Sequence, residues 1–232
     1  GTLVDSEPIT TRVLVDFVEE FGLQLDHHEA IGWFAGRDMA GISKMIEKRL
    51  CRELPSDFVE QFRHRQAAAL ETDVRPIDGA VELLNAIRIP IALASNAPRA
   101  KIEINLRVSG LTGFFPDERV FSAYDIEIWK PEPDLFIHAA RAIGFDPAKC
   151  LIVEDSPAGF EAAARAGAHV ACFLPGSKNE SGENEGSENE PGADPFSADS
   201  RILDGAASVH SISKLKELLP IIEGRSSRKV TN

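Results

Sequence analysis

The chain has 232 residues, 43% of them hydrophobic, which is enough to bury one good core and a smaller second one. No apolar run approaches the roughly 18 to 20 residues of a membrane-spanning helix, and the first residues show no basic stretch leading into an apolar one, so the expected setting is the cytoplasm, with no membrane partner. The net charge of −12 is unevenly spread, and no basic, aromatic-interleaved stretch argues for nucleic acid.

Gly1-Thr2-Leu3-Val4-Asp5-Ser6-Glu7-Pro8 reads as the exit from a strand, although no strand precedes it. Residues 11–72 are helical in pattern. Leu14, Phe17, Val18 and Phe21 recur at helix spacing, as do Ile42, Met45, Ile46 and Leu50, then Phe58, Phe62 and the Ala67-Ala68-Ala69-Leu70 run. Pro76-Ile77-Asp78-Gly79 breaks this pattern. From there helix and strand alternate: helix 80–87, strand 89–94, helix 99–108, a short strand near 120–121, helix 134–143, strand 150–153, helix 159–166, strand 169–174, a weak strand at 208–211 and helix 213–222. Such alternation implies parallel βαβ units with right-handed crossovers. The expected fold is therefore α/β, a Rossmann-like parallel sheet with a helical insert. Between Ser177 and Asp199, seven acids against one lysine carry half of the net charge in a low-complexity segment that buries too little to offset its ordering entropy. It reads as a mobile surface insertion. Cys51, Cys150 and Cys172 are odd in number, far apart and set in apolar surroundings, so they read as reduced core residues.

Chemistry gathers at three strand ends. The apolar run Cys150 to Val153 ends in Glu154-Asp155, and Ser156-Pro157-Ala158-Gly159 opens an Ala-rich helix. Locally, a divalent-metal site and a solvated Glu-Asp turn capped by Ser156 are equally good readings. Ser95-Asn96 follows another apolar run, and Lys130 lies in the connection between. Taken singly, these would be a turn serine and a solvated lysine. In an open parallel sheet all of them can converge beyond the carboxyl ends of the strands. A hydroxyl, an ammonium and two carboxylates suit a phosphoryl group and Mg²⁺, a hard ion that prefers oxygen ligands. A nucleophile is missing from the set.

The segments Gly1-Thr2-Leu3-Val4-Asp5-Ser6-Glu7, Ala94-Ser95-Asn96, Trp129-Lys130-Pro131-Glu132-Pro133-Asp134 and Val153-Glu154-Asp155-Ser156-Pro157-Ala158-Gly159 resemble, in order and spacing, the motifs of the haloacid dehalogenase-like hydrolases. The likeness is greatest to the phosphoglucomutase-like phosphatase branch, and Ser122-Ala123-Tyr124-Asp125-Ile126 through Trp129-Lys130-Pro131 is similar to phosphatases of 6-phosphogluconate. In this family the first motif is Asp-x-Asp-Gly-Thr. Its first aspartate attacks phosphorus to give an aspartyl-phosphate, and its second is the general acid and base. Gly1-Thr2 match the end of that motif, so the resemblance implies that both aspartates, with the central strand carrying them, lie ahead of Gly1. Lacking that strand, both of its neighbours would leave peptide groups unpaired at on the order of 1 to 3 kcal/mol each, against a domain stability of roughly 5 to 15 kcal/mol. A preceding segment is therefore expected.

By the same resemblance, Ser95 and Lys130 are catalytic, with Ser95 bonding the transferring phosphoryl group and Lys130 neutralising charge. Asp155 is a direct Mg²⁺ ligand, and Glu154 ligates directly or through water. Asn96 helps orient the phosphoryl group, and Thr2 fixes the nucleophile. Residues 1–10 and 73–232 would form the core, and residues 11–72 a mobile cap with hinges at residues 5–8 and 74–78. Arg37, with Arg63 behind it, is the expected cap contact to an anionic substrate. The implied enzyme is a monomeric, Mg²⁺-dependent phosphatase of a small phosphorylated metabolite, a sugar phosphate or sugar acid, with 6-phosphogluconate the best single substrate. A sugar phosphomutase is the alternative, although mutases of this branch commonly carry His where this chain has Thr10. A dehalogenase fits poorly, because the counterpart of Glu154-Asp155 is not an acidic pair there. A sugar-phosphate sensor without activity fits if the aspartates are truly absent.

Overall fold

The structure is a computed structural model, and it describes residues 1–34, 38–175 and 205–224. Four helices lead: α1 (Glu7–Glu19), α2 (His27–Phe34), α3 (Met39–Leu50) and α4 (Phe58–Asp73). They are followed by α5 (Ala80–Ala86), β1 (Leu93–Ser95), α6 (Arg99–Val108), β2 (Val120–Ser122), α7 (Ala123–Ile126) and α8 (Asp134–Ala142). The chain then runs through β3 (Leu151–Glu154), α9 (Pro157–Arg165), β4 (His169–Phe173), β5 (Ser208–Ile212) and α10 (Leu218–Ile222).

Two compact units emerge. Among the described residues, the first takes in those of 3–76 and 99–113, with Gly1, and the second those of 77–98, 114–175 and 205–224, with Thr2. The first is helical apart from an isolated antiparallel bridge between Val4 and Pro76. Phe17 and Phe58 stack at 4.9 Å within a buried cluster that includes Leu14, Val18, Trp33, Ile42, Ile46 and Phe62. A smaller cluster, Ile9, Leu70 and Val74, binds α1 and α4, with Ile104 and Val108 of α6 against it. α1 begins four residues earlier than the apolar spacing predicts. Pro8 explains this, because its fixed φ and missing N–H suit the first helical turn.

A polar contact joins the same three helices. Thr10 Oγ1 accepts from Gln66 Nε2 at 3.0 Å and from Lys101 Nζ at 3.1 Å. Burial pulls the Lys101 ammonium down to about 8, with Glu7 opposing. A lysine whose folded value lies below its unfolded one makes the protein gain stability as pH rises through the interval between them. Chemical denaturation of the wild type is therefore expected to show a rising component between about pH 8 and 10 that Lys101→Met lacks. Identical slopes for the two proteins would refute it.

The second unit carries the strands, all parallel. β1 pairs with β2, and β3, β4 and β5 form a three-stranded sheet in that order. Val170 and Cys172 point into a buried cluster with Phe136 of α8 and Phe160, Ala162 and Ala163 of α9. β4, paired on both sides, is almost wholly buried, while β1 and β3 stay half-exposed, each bonded along one edge among the described residues. β1 is three residues long rather than six and starts at Leu93. Pro90 has no N–H to give a ladder, and Ile89 is 53% exposed. β5, expected to be weak, pairs with β4 over its full length. α7 went unforeseen because it is a single turn. Its signal is local: Ser122 and Asp125 form a reciprocal capping box. The acidic segment 177–199 lies outside the described residues.

Candidate functional site

Two loops of the second unit are stitched together by one carboxamide. Asn96, just past β1, accepts from the Lys130 backbone N–H through Oδ1 at 3.0 Å and donates from Nδ2 to the Lys130 carbonyl at 3.3 Å. Ser95 Oγ accepts from the Ala97 N–H at 3.1 Å, and Ser122 Oγ at the end of β2 donates to the Ala97 carbonyl at 2.7 Å. The turn after β1 is thus held from both sides. The Ser95 hydroxyl proton has no acceptor among the described residues.

Lys130 extends inward from this clamp. Its Nζ donates to the Ala94 carbonyl of β1 at 3.1 Å and to Glu154 Oε1 at the end of β3, and lies 4.6 Å from the centre of the Phe136 ring. Lys130 is 7% exposed and Glu154 6%. Glu154 is thus no solvated turn residue. Its Oε2 also accepts from the Asp155 N–H and from Ser156 Oγ, each at 3.3 Å. Ser156 in turn caps α9, accepting from the Gly159 N–H at 3.1 Å. The Ser156 cap and the Glu154 carboxylate, set against each other in the sequence, share one network.

That network explains Gly159. A Cβ there would lie 2.0 Å from Glu154 Oε2 and 2.7 Å from its Cγ. Alanine adds up to about 1 kcal/mol of helix propensity. Driving the carboxylate off a buried cation costs more, and overpacking of this kind typically costs about 1 to 3 kcal/mol net. Gly159→Ala is expected to lower the urea midpoint accordingly and to reduce turnover; an unchanged midpoint would remove glycine from the site. The residue was missed in the sequence as a functional position, although its place five residues after Glu154 was visible.

Asp155 follows β3, half-buried, and Thr2 Oγ1 donates to its Oδ1 at 2.8 Å. Behind it, Cys172 lies in register with Glu154 on β4, and burial, then the nearby glutamate, push its thiol up to about 12. This cysteine is inert packing. The described residues gather no cluster of three or more His, Cys, Asp or Glu. The half-buried Asp155 carboxylate, with Glu154 engaged behind it, nevertheless fits Mg²⁺, which takes one or two carboxylates and fills its remaining positions with waters and substrate phosphate oxygens. The structure therefore brings Thr2, Ser95, Asn96, Lys130, Glu154 and Asp155 to the strand ends of one unit. Arg63 is exposed on α4 in the other unit. Arg37 lies outside the described residues.

Comparison with known proteins gives this arrangement a family. Residues 1–167 match the model of the haloacid dehalogenase-like hydrolases. The 6-phosphogluconate phosphatase of Escherichia coli (strain K12) is 36% identical over 174 residues, covering 75% of this chain and 78% of that protein. Hexitol phosphatase A of the same organism is 28% identical over 175 residues, with 73% and 77% covered. Among solved structures, a haloacid dehalogenase family hydrolase from Deinococcus radiodurans R1, with bound phosphate and sodium, superposes with a TM-score of 0.69 at 30% identity, over 96% of this chain and 91% of that one. With a family match over most of its length, parallel α/β architecture and the motif residues gathered at the strand ends, the chain belongs to the haloacid dehalogenase-like hydrolases.

Proposed function

We propose that the protein is a Mg²⁺-dependent phosphatase of a small sugar phosphate or phosphorylated sugar acid, with 6-phosphogluconate its best substrate. The observation that carries this reading is the buried Lys130, held between the Ala94 carbonyl and Glu154 with its backbone clamped by Asn96. A desolvated ammonium fixed at the strand ends, beside a serine hydroxyl, is suited to an anion whose charge shifts during reaction. The similarity to 6-phosphogluconate phosphatase supports the choice of substrate.

In the reaction we propose, Ser95 donates to a phosphoryl oxygen, and Lys130 balances charge between the phosphoryl group and the attacking carboxylate. Asn96 keeps Lys130 and the turn after β1 in register, and Glu154 keeps the lysine aimed. In the family's Asp-x-Asp-Gly-Thr motif, whose last two residues Gly1-Thr2 match, the nucleophile is the first aspartate. Its carboxylate attacks phosphorus, the ester P–O bond breaks, and the leaving alkoxide takes a proton from the second aspartate. Water, deprotonated by that same aspartate, then splits the aspartyl-phosphate. Asp155, with Glu154 behind it, would hold Mg²⁺, which supplies neutralisation of the phosphoryl oxygens when bound. Residues 11–72 act as the cap, with hinges at 5–8 and 74–78, and Arg37 meets the anionic end of the substrate.

Phosphate release from a panel of sugar phosphates and phosphorylated sugar acids, with and without Mg²⁺, tests this. Mg²⁺-dependent release, fastest from 6-phosphogluconate, is expected. Interconversion of isomers without release would identify a mutase, and tight binding with neither would identify a sensor; both would overturn the reading. The protein is proposed to work as a cytoplasmic monomer, which light scattering checks for its assembly.

A further inference from the structure

Away from Glu154, at the other ends of the strands, three polar side chains converge. His169 opens β4 and Ser208 opens β5, and the parallel register pairs them directly. His210 stands two residues beyond Ser208, and the period of two along a strand puts it on the same face. His169 Nδ1 lies 2.7 Å from Ser208 Oγ, and His210 Nε2 lies 3.1 Å from that same oxygen. Two ring nitrogens on neighbouring strands therefore focus on one point. All three residues are half-buried, so the point is reachable from solvent.

Among the described residues neither ring takes a carboxylate as its hydrogen-bond partner at this point, and imidazole binds metal through a deprotonated ring nitrogen. A serine hydroxyl has one proton to give. It satisfies one ring as donor and must accept from the other, which leaves a bridge that an ion could replace with two bonds to nitrogen and one to oxygen.

We propose that His169, His210 and Ser208 form a binding site for a borderline divalent transition ion such as Zn²⁺, with water completing its coordination. Imidazole nitrogen selects such ions over Mg²⁺, which demands oxygen. A bound ion would fasten the first residues of β5 to β4, at the edge of the sheet. The site is separate from the phosphatase centre, and its existence does not depend on that assignment.

Calorimetric titration of Zn²⁺ into the full protein, in saturating Mg²⁺, tests it. The wild type should bind one more equivalent than His169→Ala/His210→Ala, and Zn²⁺ should raise the unfolding temperature of the wild type alone. His210→Asn should weaken that equivalent by more than about tenfold, while Ser208→Ala, which keeps both rings, should weaken it less. Binding should also weaken at acid pH, where protons compete for the ring nitrogens. Circular dichroism establishes that each variant is folded, and phosphate release by the double variant should be unchanged. Superimposable isotherms for wild type and double variant, or no Zn²⁺ uptake by the wild type, would overturn the proposal.

Discussion

Asp155→Asn is expected to cut Mg²⁺-dependent phosphate release by at least about 1,000-fold while leaving the unfolding transition almost in place. Metal charge neutralisation of a phosphoryl transition state is worth several kcal/mol, and about 4 kcal/mol is a factor of 1,000. The fold should tolerate the change because an Asn Oδ1 can still accept from Thr2 Oγ1, which meets Asp155 at 2.8 Å. Asp155 also stands just beyond β3 rather than within its ladder. The measurement is kcat/KM as a function of Mg²⁺ concentration, with a urea curve recorded in parallel. Near-wild-type turnover in Asp155→Asn would end the assignment of this carboxylate to the metal.

Lys130→Met should harm both stability and turnover, and the two losses can be separated. Both partners of the Lys130–Glu154 pair are more than nine-tenths buried. Removing one leaves the other as an uncompensated charge, at about 3 to 5 kcal/mol. The methionine keeps the volume and the contact with Phe136, so little of the loss should come from a cavity. Adding Glu154→Gln removes the stranded charge. Lys130→Met/Glu154→Gln should therefore recover much of the stability and none of the turnover. If stability and turnover recover together, the lysine serves the fold alone; if the single variant unfolds at the wild-type midpoint, the buried pair does not exist in solution.

The site was legible in the sequence wherever a strand ends in polar residues. Ser95, Glu154 and Asp155 stood out because an apolar run stops at them, and the alternation of strand and helix was enough to predict their convergence. The details that fix them were hidden for a physical reason. Asn96 acts on backbone groups of Lys130, 34 residues away, and no local pattern encodes which peptide a carboxamide will bond. Gly159 matters through the side chain it lacks. Its role appears only once α9 is laid against the end of β3. Glu154 and Asp155 are neighbours in sequence yet differ in surroundings, one sealed against a lysine and the other half-exposed, since successive residues at a strand end face opposite ways. In the fold, β1 was misjudged through Pro90, and α7 was too short for any periodicity to reveal.

The clamp made by Asn96 has an implication for how this protein can change. A carboxamide that donates to one peptide group and accepts from another tolerates almost no substitute: aspartate keeps the acceptor and loses the donor, and leucine keeps neither. The turn after β1 and the connection before α8 are therefore two halves of a single jig. A length change in either would shift Lys130 relative to Ser95, so variation in one must be matched in the other. New specificity is more readily tried in loops that do not share this carboxamide than between Asn96 and Lys130.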